Sequence, residues 1–186
     1  MVLSNFILKW GFFFSHIGWL CMRKHPKVIS GGKTINMEDL ERDSLVMIQH
    51  KYYLTFFFTF AFIIPSTVPA LFWMESIKVG FFISVLRYVC VLHFTWLVNS
   101  AAHMFGMKPY DKRIGPVENM AVSLVALGEG FHNYHHTFPY DYSTSEWGFK
   151  LNLTTAFIDL MQTLGLYKTS KSSFYYLFEF VYRTGL

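Results

Sequence analysis

Two apolar runs dominate the hydropathy pattern of this chain. Tyr52 to Trp73 contains no Asp, Glu, Lys or Arg, and Val79 to Val98 contains one charge, Arg87. Wound as an α-helix, the first run would reach about 33 Å, enough for a hydrocarbon core of roughly 30 Å. Pro65 and Pro69 predict a kink within it, which membrane helices tolerate where neighbours satisfy the freed carbonyls. Met74 to Lys78 reads as a short polar connection. The pattern therefore predicts a transmembrane helical hairpin with both flanks on one side of the bilayer. The competing reading is a pair of buried helices in a soluble bundle. Both runs exceed the length that separates spans from core helices, which disfavours it.

Weaker periodicities surround the hairpin. Asn5 to Met22 is apolar apart from Lys9, Ser15 and His16. It lacks a basic leader and a small-residue cleavage site. An aromatic helix lying at the membrane surface fits it best, with Trp10 and Trp19 against lipid or protein; a signal anchor is the alternative. Gly31-Gly32 marks a turn, and Thr34 or Asn36 is placed to cap a helix carrying Met37 to Ile48. Lys108 to Pro116 reads as a loop. Glu118 to Tyr134 has helical spacing, and Phe138-Pro139 ends that helix. A further helix covers Leu151 to Leu164, capped by Asn152 or starting near Trp147. The fold expected is all-α: an integral membrane hairpin with helices on the cytosolic side. It is one domain over 1–186, divided into an interfacial and cytosolic segment (1–51), the hairpin (52–98) and a histidine-rich region (99–186).

Composition sharpens this picture. Hydrophobic residues make up 53% of the 186 and charged residues only 15%, which excludes a disordered chain. Two cysteines cannot build a disulfide framework, so Cys21 and Cys90 read as packing residues. The net charge of +4 is not gathered on one polar face, as nucleic-acid binding would require. The basic residues instead flank the apolar runs: Arg23, Lys24, Lys27, Lys33, Arg42 and Lys51 before the hairpin, Lys108, Lys112 and Arg113 after it. That distribution places both flanks in the cytosol.

The histidines carry the candidate chemistry. His132, His135 and His136 are spaced i, i+3, i+4, which puts three imidazoles on one helical face. Imidazole suits iron and zinc, and a metal explains a cluster that helix propensity does not. Gly128 and Gly130, just before the triple, would let another backbone come close. Asn99 and His103 form a second pair at i, i+4 where the second span leaves the membrane. His16 reads as a hydrogen-bonded structural residue, and His93 as a partner for a backbone carbonyl. His25 and His50 read as exposed. The chain has no nucleophile elbow, phosphate loop, dinucleotide fingerprint or HExxH. It also lacks the Glu-x-x-His pairs of soluble di-iron bundles, so nitrogen would hold any iron here.

Three stretches then become familiar. Gly11 to Leu20 with Arg23-Lys24-His25-Pro26, Thr95 to His103, and Gly128 to Pro139 occur in that order. Over about Gly11 to Leu166 the chain resembles the membrane acyl-CoA desaturases, in particular the Δ9 stearoyl-CoA desaturase group with an insect-like flavour. The resemblance implies a multi-pass endoplasmic-reticulum enzyme with both termini cytosolic and a di-iron centre. Such an enzyme uses O2 and electrons from cytochrome b5 and its reductase to introduce a double bond into a fatty acyl-CoA. By position, His103, His132, His135 and His136 match iron ligands, and Asn99 matches a ligand acting through water. Arg23 and Lys24 match residues that hold coenzyme A, and Thr95 and Trp96 match residues along the acyl channel.

The chain departs from the family pattern in one respect. The family has two earlier boxes, HxxxxH and HxxHH, and this sequence has neither. It corresponds to the C-terminal portion, so by itself the chain is expected to be incomplete or inactive. Two other readings follow: a non-catalytic isoform that associates with full-length desaturase or with itself, and a haem or zinc protein using His50 and His93 with the histidine triple.

Overall fold

The computed structural model describes residues 10–147 and 152–166. Residues 5–9 of the predicted aromatic helix and Leu151, at the start of the last predicted helix, lie outside the described residues. The chain divides into two units: one takes residues up to Met22 and from His93 onward, the other Arg23–Leu92. Among the described residues the fold is all helical, with only isolated bridges at Met107–Glu118 and Glu118–Phe131.

In the second unit, α2 (Pro26–Gly32) is capped by His25, whose Nδ1 accepts from Lys27 N. The single helix expected over Met37–Ile48 is instead two, α3 (Glu38–Arg42) and α4 (Ser44–Lys51). Asp43 divides them, because its extended backbone and its carboxylate start a new helix by accepting from Leu45 N and Val46 N. Met37, not Asn36 or Thr34, holds the N-cap position of the first piece; Asn36 accepts from Glu38 N in the turn just ahead of it.

The first apolar run folds as α5 (Tyr53–Phe58), a π-helical turn (Thr59–Ile63) and α6 (Ile64–Phe72). The irregular turn sits just before Pro65, which cannot donate to the preceding turn. Arg87 answers it from the next helix, donating through Nη2 to Ala61 O at 2.6 Å. That helix, α7 (Ile77–Asn99), is the second apolar run. Small residues let the backbones approach: a Cβ on Gly80 would fall 2.7 Å from Ser66 O, and the buried Ser66 and Ser84 hydroxyls lie 3.3 Å apart. Phe57, Phe62 and Tyr88 close an aromatic cluster with ring centroids 5.4–5.6 Å apart.

Tyr53–Phe72 and Ile77–Met104 are long and apolar enough to cross a membrane, and only 6% of each apolar window is buried. Core helices of a soluble bundle would be covered by protein, so that competing reading fails for the described residues.

The first unit contains α1 (Gly11–His16), a 3-10 turn (Gly18–Cys21), the end of α7 and four further helices. These are α8 (Ala101–Met104), α9 (Met120–Val125), α10 (His132–Thr137) and α11 (Leu153–Thr163). Cys21 is exposed, so it is not the packing residue expected.

The helix expected over Glu118–Tyr134 is really two short ones. Leu127 and Gly128 both have positive φ (56° and 110°), which breaks the helical path between them. Gly128 also lies against Asn152, where a Cβ would sit 2.7 Å from the Asn152 Cβ. At Gly130 a Cβ would collide with Asn119 O and Ser123 N, so both glycines serve close approach. As expected, α10 stops before Phe138-Pro139, and Asn152 caps α11 by accepting from Thr155 N at 3.0 Å. The apolar core is small, formed by Ala102, Ile114, Val117, Val122, Phe131 and Tyr134.

Candidate metal centre

Helix α10 brings His132, His135 and His136 to one face, and α8 supplies His103. His103 Nε2 and His132 Nε2 lie 3.0 Å apart. One nitrogen each from His103, His132 and His136 falls within 4.8 Å of the others. The His132 and His136 rings meet at 4.5 Å, and His135 packs beside them at 6.0 and 5.4 Å. This is the one cluster of three or more metal-binding side chains among the described residues.

The donor set fits a transition metal. All the donors are imidazoles, with no carboxylate among them. The Nδ1 atoms of His103 and His135 are buried without a hydrogen-bond partner, as an absent ion or water would leave them. Burial pushes the His132 pKa down to about 3, with the neighbouring His103, His136 and His135 adding to the shift. Burial and then His135 also lower His136. These rings are therefore neutral near pH 7 and present lone pairs.

The scaffold holds α10 firmly. Asn133, between the ligand histidines, is completely buried. Its Oδ1 accepts from Tyr110 N and Asp111 N at 3.0 and 3.2 Å, and its Nδ2 donates to Asp111 O and Pro116 O at 2.9 and 3.0 Å. Glu118 accepts from Tyr134 N at 2.7 Å, and Tyr134 Oη donates to Asp141 at 2.7 Å. Burial raises the Glu118 pKa although backbone amides donate to it. Burial and the hydrogen bond with Asp159 push Tyr142 up to about 12. The sequence reading missed Asn133 and Glu118. The only signal for Asn133 was a polar residue facing away from the histidine stripe.

The remaining predicted residues are placed as follows. Asn99 ends α7, is exposed, and makes no hydrogen bond to the histidines among the described residues. Thr95 is exposed and Trp96 half-buried in the last turns of α7. Arg23 and Lys24 are exposed in the irregular stretch before α2, in the second unit. His93 does not pair with a backbone carbonyl: His16 Nε2 reaches its Nδ1 at 3.0 Å. The carbonyls of α7 are occupied within the helix, and α1 places the buried His16 alongside. His50 is exposed.

No family model matches the chain. Individual relatives do. It is 57% identical to the acyl-CoA desaturase 1 of Tachysurus fulvidraco over 159 residues, which are 85% of this chain and 48% of that protein. It is 54% identical to the stearoyl-CoA desaturase of Homo sapiens over 177 residues, 94% of this chain and 49% of that protein. It is also 54% identical to the acyl-CoA Delta12-desaturase of Acheta domesticus over 160 residues, 85% of this chain and 45% of that protein. The chain thus spans about half the length of the curated relatives it matches. Two apolar, lipid-compatible helices mark it as a membrane protein. With more than half of its residues identical to theirs over most of its length, the chain belongs to the acyl-CoA desaturase family.

Proposed function

We propose that this sequence carries part of the catalytic unit of a membrane fatty acyl-CoA desaturase that works with iron in the endoplasmic reticulum. The observation that carries the reading is the convergence of His103, His132 and His136. His135, beside them, and Asn99, one helical turn before His103, complete the set assigned to metal. When bound, iron would supply the activation of O2 needed to remove two hydrogens from an unactivated acyl chain, with two electrons from cytochrome b5 and its reductase and two protons completing the formation of water.

The chain's own residues do the rest. His132 offers a neutral nitrogen donor, and its burial keeps protons from competing near pH 7. Asn133, Glu118 and the Tyr134–Asp141 pair hold the helix that carries the rings, fixing α10 against the loop at Asp111. Trp96 and Thr95 form wall for the acyl chain, where an apolar tail wants aromatic surface. Arg23 and Lys24 offer exposed cations to the phosphates of coenzyme A. The relatives include stearoyl-CoA desaturases and a Delta12-desaturase at equal identity, so product analysis decides where the double bond falls. Nothing favours the alternative of a non-catalytic associate of full-length desaturase.

The test is expression at full gene length in cells deficient in desaturase, with unsaturated lipid and protein-bound iron as readouts. Both are expected to disappear together when His132, His135 and His136 become alanine. Persistence of either in the triple variant would sink the reading.

A further inference from the structure

A second pair of imidazoles lies in the first unit, outside the metal centre. His16, at the end of α1, is 9% exposed and reaches the end of α7. Its Nδ1 lies 3.0 Å from Ser100 Oγ, and its Nε2 lies 3.0 Å from His93 Nδ1.

The direction of the hydrogen-bond chain follows from where Ser100 sends its hydrogen, and we place it on the Trp96 carbonyl. Ser100 Oγ gives its single hydrogen to Trp96 O at 3.0 Å. It must then accept from His16, whose Nδ1 carries the proton. Burial, and then His93, lower the His16 pKa, so the ring is neutral and its Nε2 is a bare acceptor. His93 therefore donates through Nδ1–H. His16 is thus held in the Nδ1–H tautomer from both sides, by Ser100 at Nδ1 and by His93 at Nε2.

Both rings serve the same neighbour. His16 meets the Trp96 indole edge-on at 5.8 Å and 84°, and His93 does so at 5.2 Å and 75°. The two imidazoles stack on each other at 5.2 Å and 25°. Edge-to-face contacts of this kind are directional, so the pair sets the tilt of the indole as well as filling space beside it. Neither histidine belongs to the convergent metal cluster.

We propose that His16 and His93 are positioning residues for Trp96, a directed hydrogen-bonded buttress that sets the indole's tilt and through it which acyl chain lengths the enzyme accepts. The proposal rests on the reading above that Trp96 lines the acyl channel. It predicts a split between substrate recognition and chemistry, because the buttress touches neither the metal nor the reacting carbons.

Two measurements test it. In this chain, held in detergent micelles at neutral pH, ring 15N shifts should report a protonated Nδ1 at both His16 and His93 and a bare Nε2 at His16. An Nε2–H form at His16, or a bare Nδ1 at either ring, overturns the hydrogen-bond chain. In the full-length enzyme, His93→Ala should raise KM for stearoyl-CoA and shift the ratio of palmitoyl to stearoyl turnover, each by about 2- to 10-fold, the range an aromatic edge contact carries. Iron per chain should stay unchanged and kcat should fall less than about 2-fold. His93→Asn, whose amide can still donate to His16 Nε2, should preserve the His16 tautomer and recover part of the selectivity. An unchanged KM and chain-length ratio in His93→Ala overturns the proposal. So does a loss of iron and kcat in both variants, which would mark a structural role. If the wild-type enzyme forms no unsaturated product, the desaturase reading fails, and the 15N shifts still decide the buttress.

Discussion

Asn133 shows how a single side chain can govern the site without belonging to the donor set. It is fully buried and makes four hydrogen bonds to the loop at Tyr110, Asp111 and Pro116. Asn133→Leu keeps the shape but orphans those backbone groups, and each buried orphan costs about 1–3 kcal/mol. The thermal midpoint should fall by several degrees, and metal affinity should fall with it although every histidine remains. An unchanged midpoint would show that the loop finds other partners. His132 gives a prediction in pH. The unfolded chain takes up its proton near 6.5, whereas the folded ring does so only near 3. Between those values the unfolded state holds more protons, so stability is full above about pH 6.5 and drains away as pH falls toward 3. Denaturant midpoints of the metal-free protein should follow that slope, and His132→Gln should flatten it; a parallel slope in the variant would contradict the assignment. The ligand triple was legible in the sequence because its spacing is local. Asn133 was not, because its partners lie 17 to 23 residues away and carry no pattern of their own.

Among the elements, the two apolar spans and the helix capped by Asn152 were read correctly, and the helices over Glu118–Tyr134 and Met37–Ile48 were not. Both spans emerged where hydropathy placed them, because about twenty apolar residues leave few alternatives. The helix expected over Glu118–Tyr134 broke at Leu127 and Gly128, where tertiary contacts with Asn119 and Asn152 outweigh helical spacing. The helix over Met37–Ile48 broke because Asp43 is a better cap than an interior residue. The proline-bearing span kept its course through a π-helical turn whose Ala61 carbonyl is satisfied by Arg87. The packing of that span against α7 supplies a contrast between two glycines. A Cβ on Gly80 meets the Ser66 backbone, which cannot swing aside, whereas a Cβ on Gly31 meets nothing within 4 Å. Gly80→Ala should therefore destabilise the pair by about 1–3 kcal/mol, the usual cost of overpacking. Gly31→Ala, in the exposed α2, should be neutral or slightly stabilising. Helicity followed through detergent-denaturant titration compares the two; equal effects would mean that α6 and α7 do not approach as closely as described.

At the scale of the whole molecule, charge and hydropathy together make a statement about orientation. Two apolar windows of mean hydropathy 1.8, each only 6% buried, need lipid to cover them. Carbonate at high pH should leave the protein in the membrane pellet, and detergent should release it. The two spans are joined by the short stretch Trp73–Ser76, so two crossings of a bilayer would leave the segments before Tyr53 and after Met104 on one side. Six basic residues from Arg23 to Lys51 precede the first span, and Lys108, Lys112 and Arg113 follow the second. Positive charge near the ends of spans is retained in the cytosol. The histidines of α10, which follow the second span, would then face the cytosol. An N-glycosylation acceptor with flexible spacers inserted between Trp73 and Ser76 should therefore be glycosylated on microsomal membranes, while acceptors placed ahead of α2 or in the loop at Lys112 should stay bare. Glycosylation at Lys112 would invert the orientation and place the histidine cluster on the lumenal side, however well the imidazoles converge.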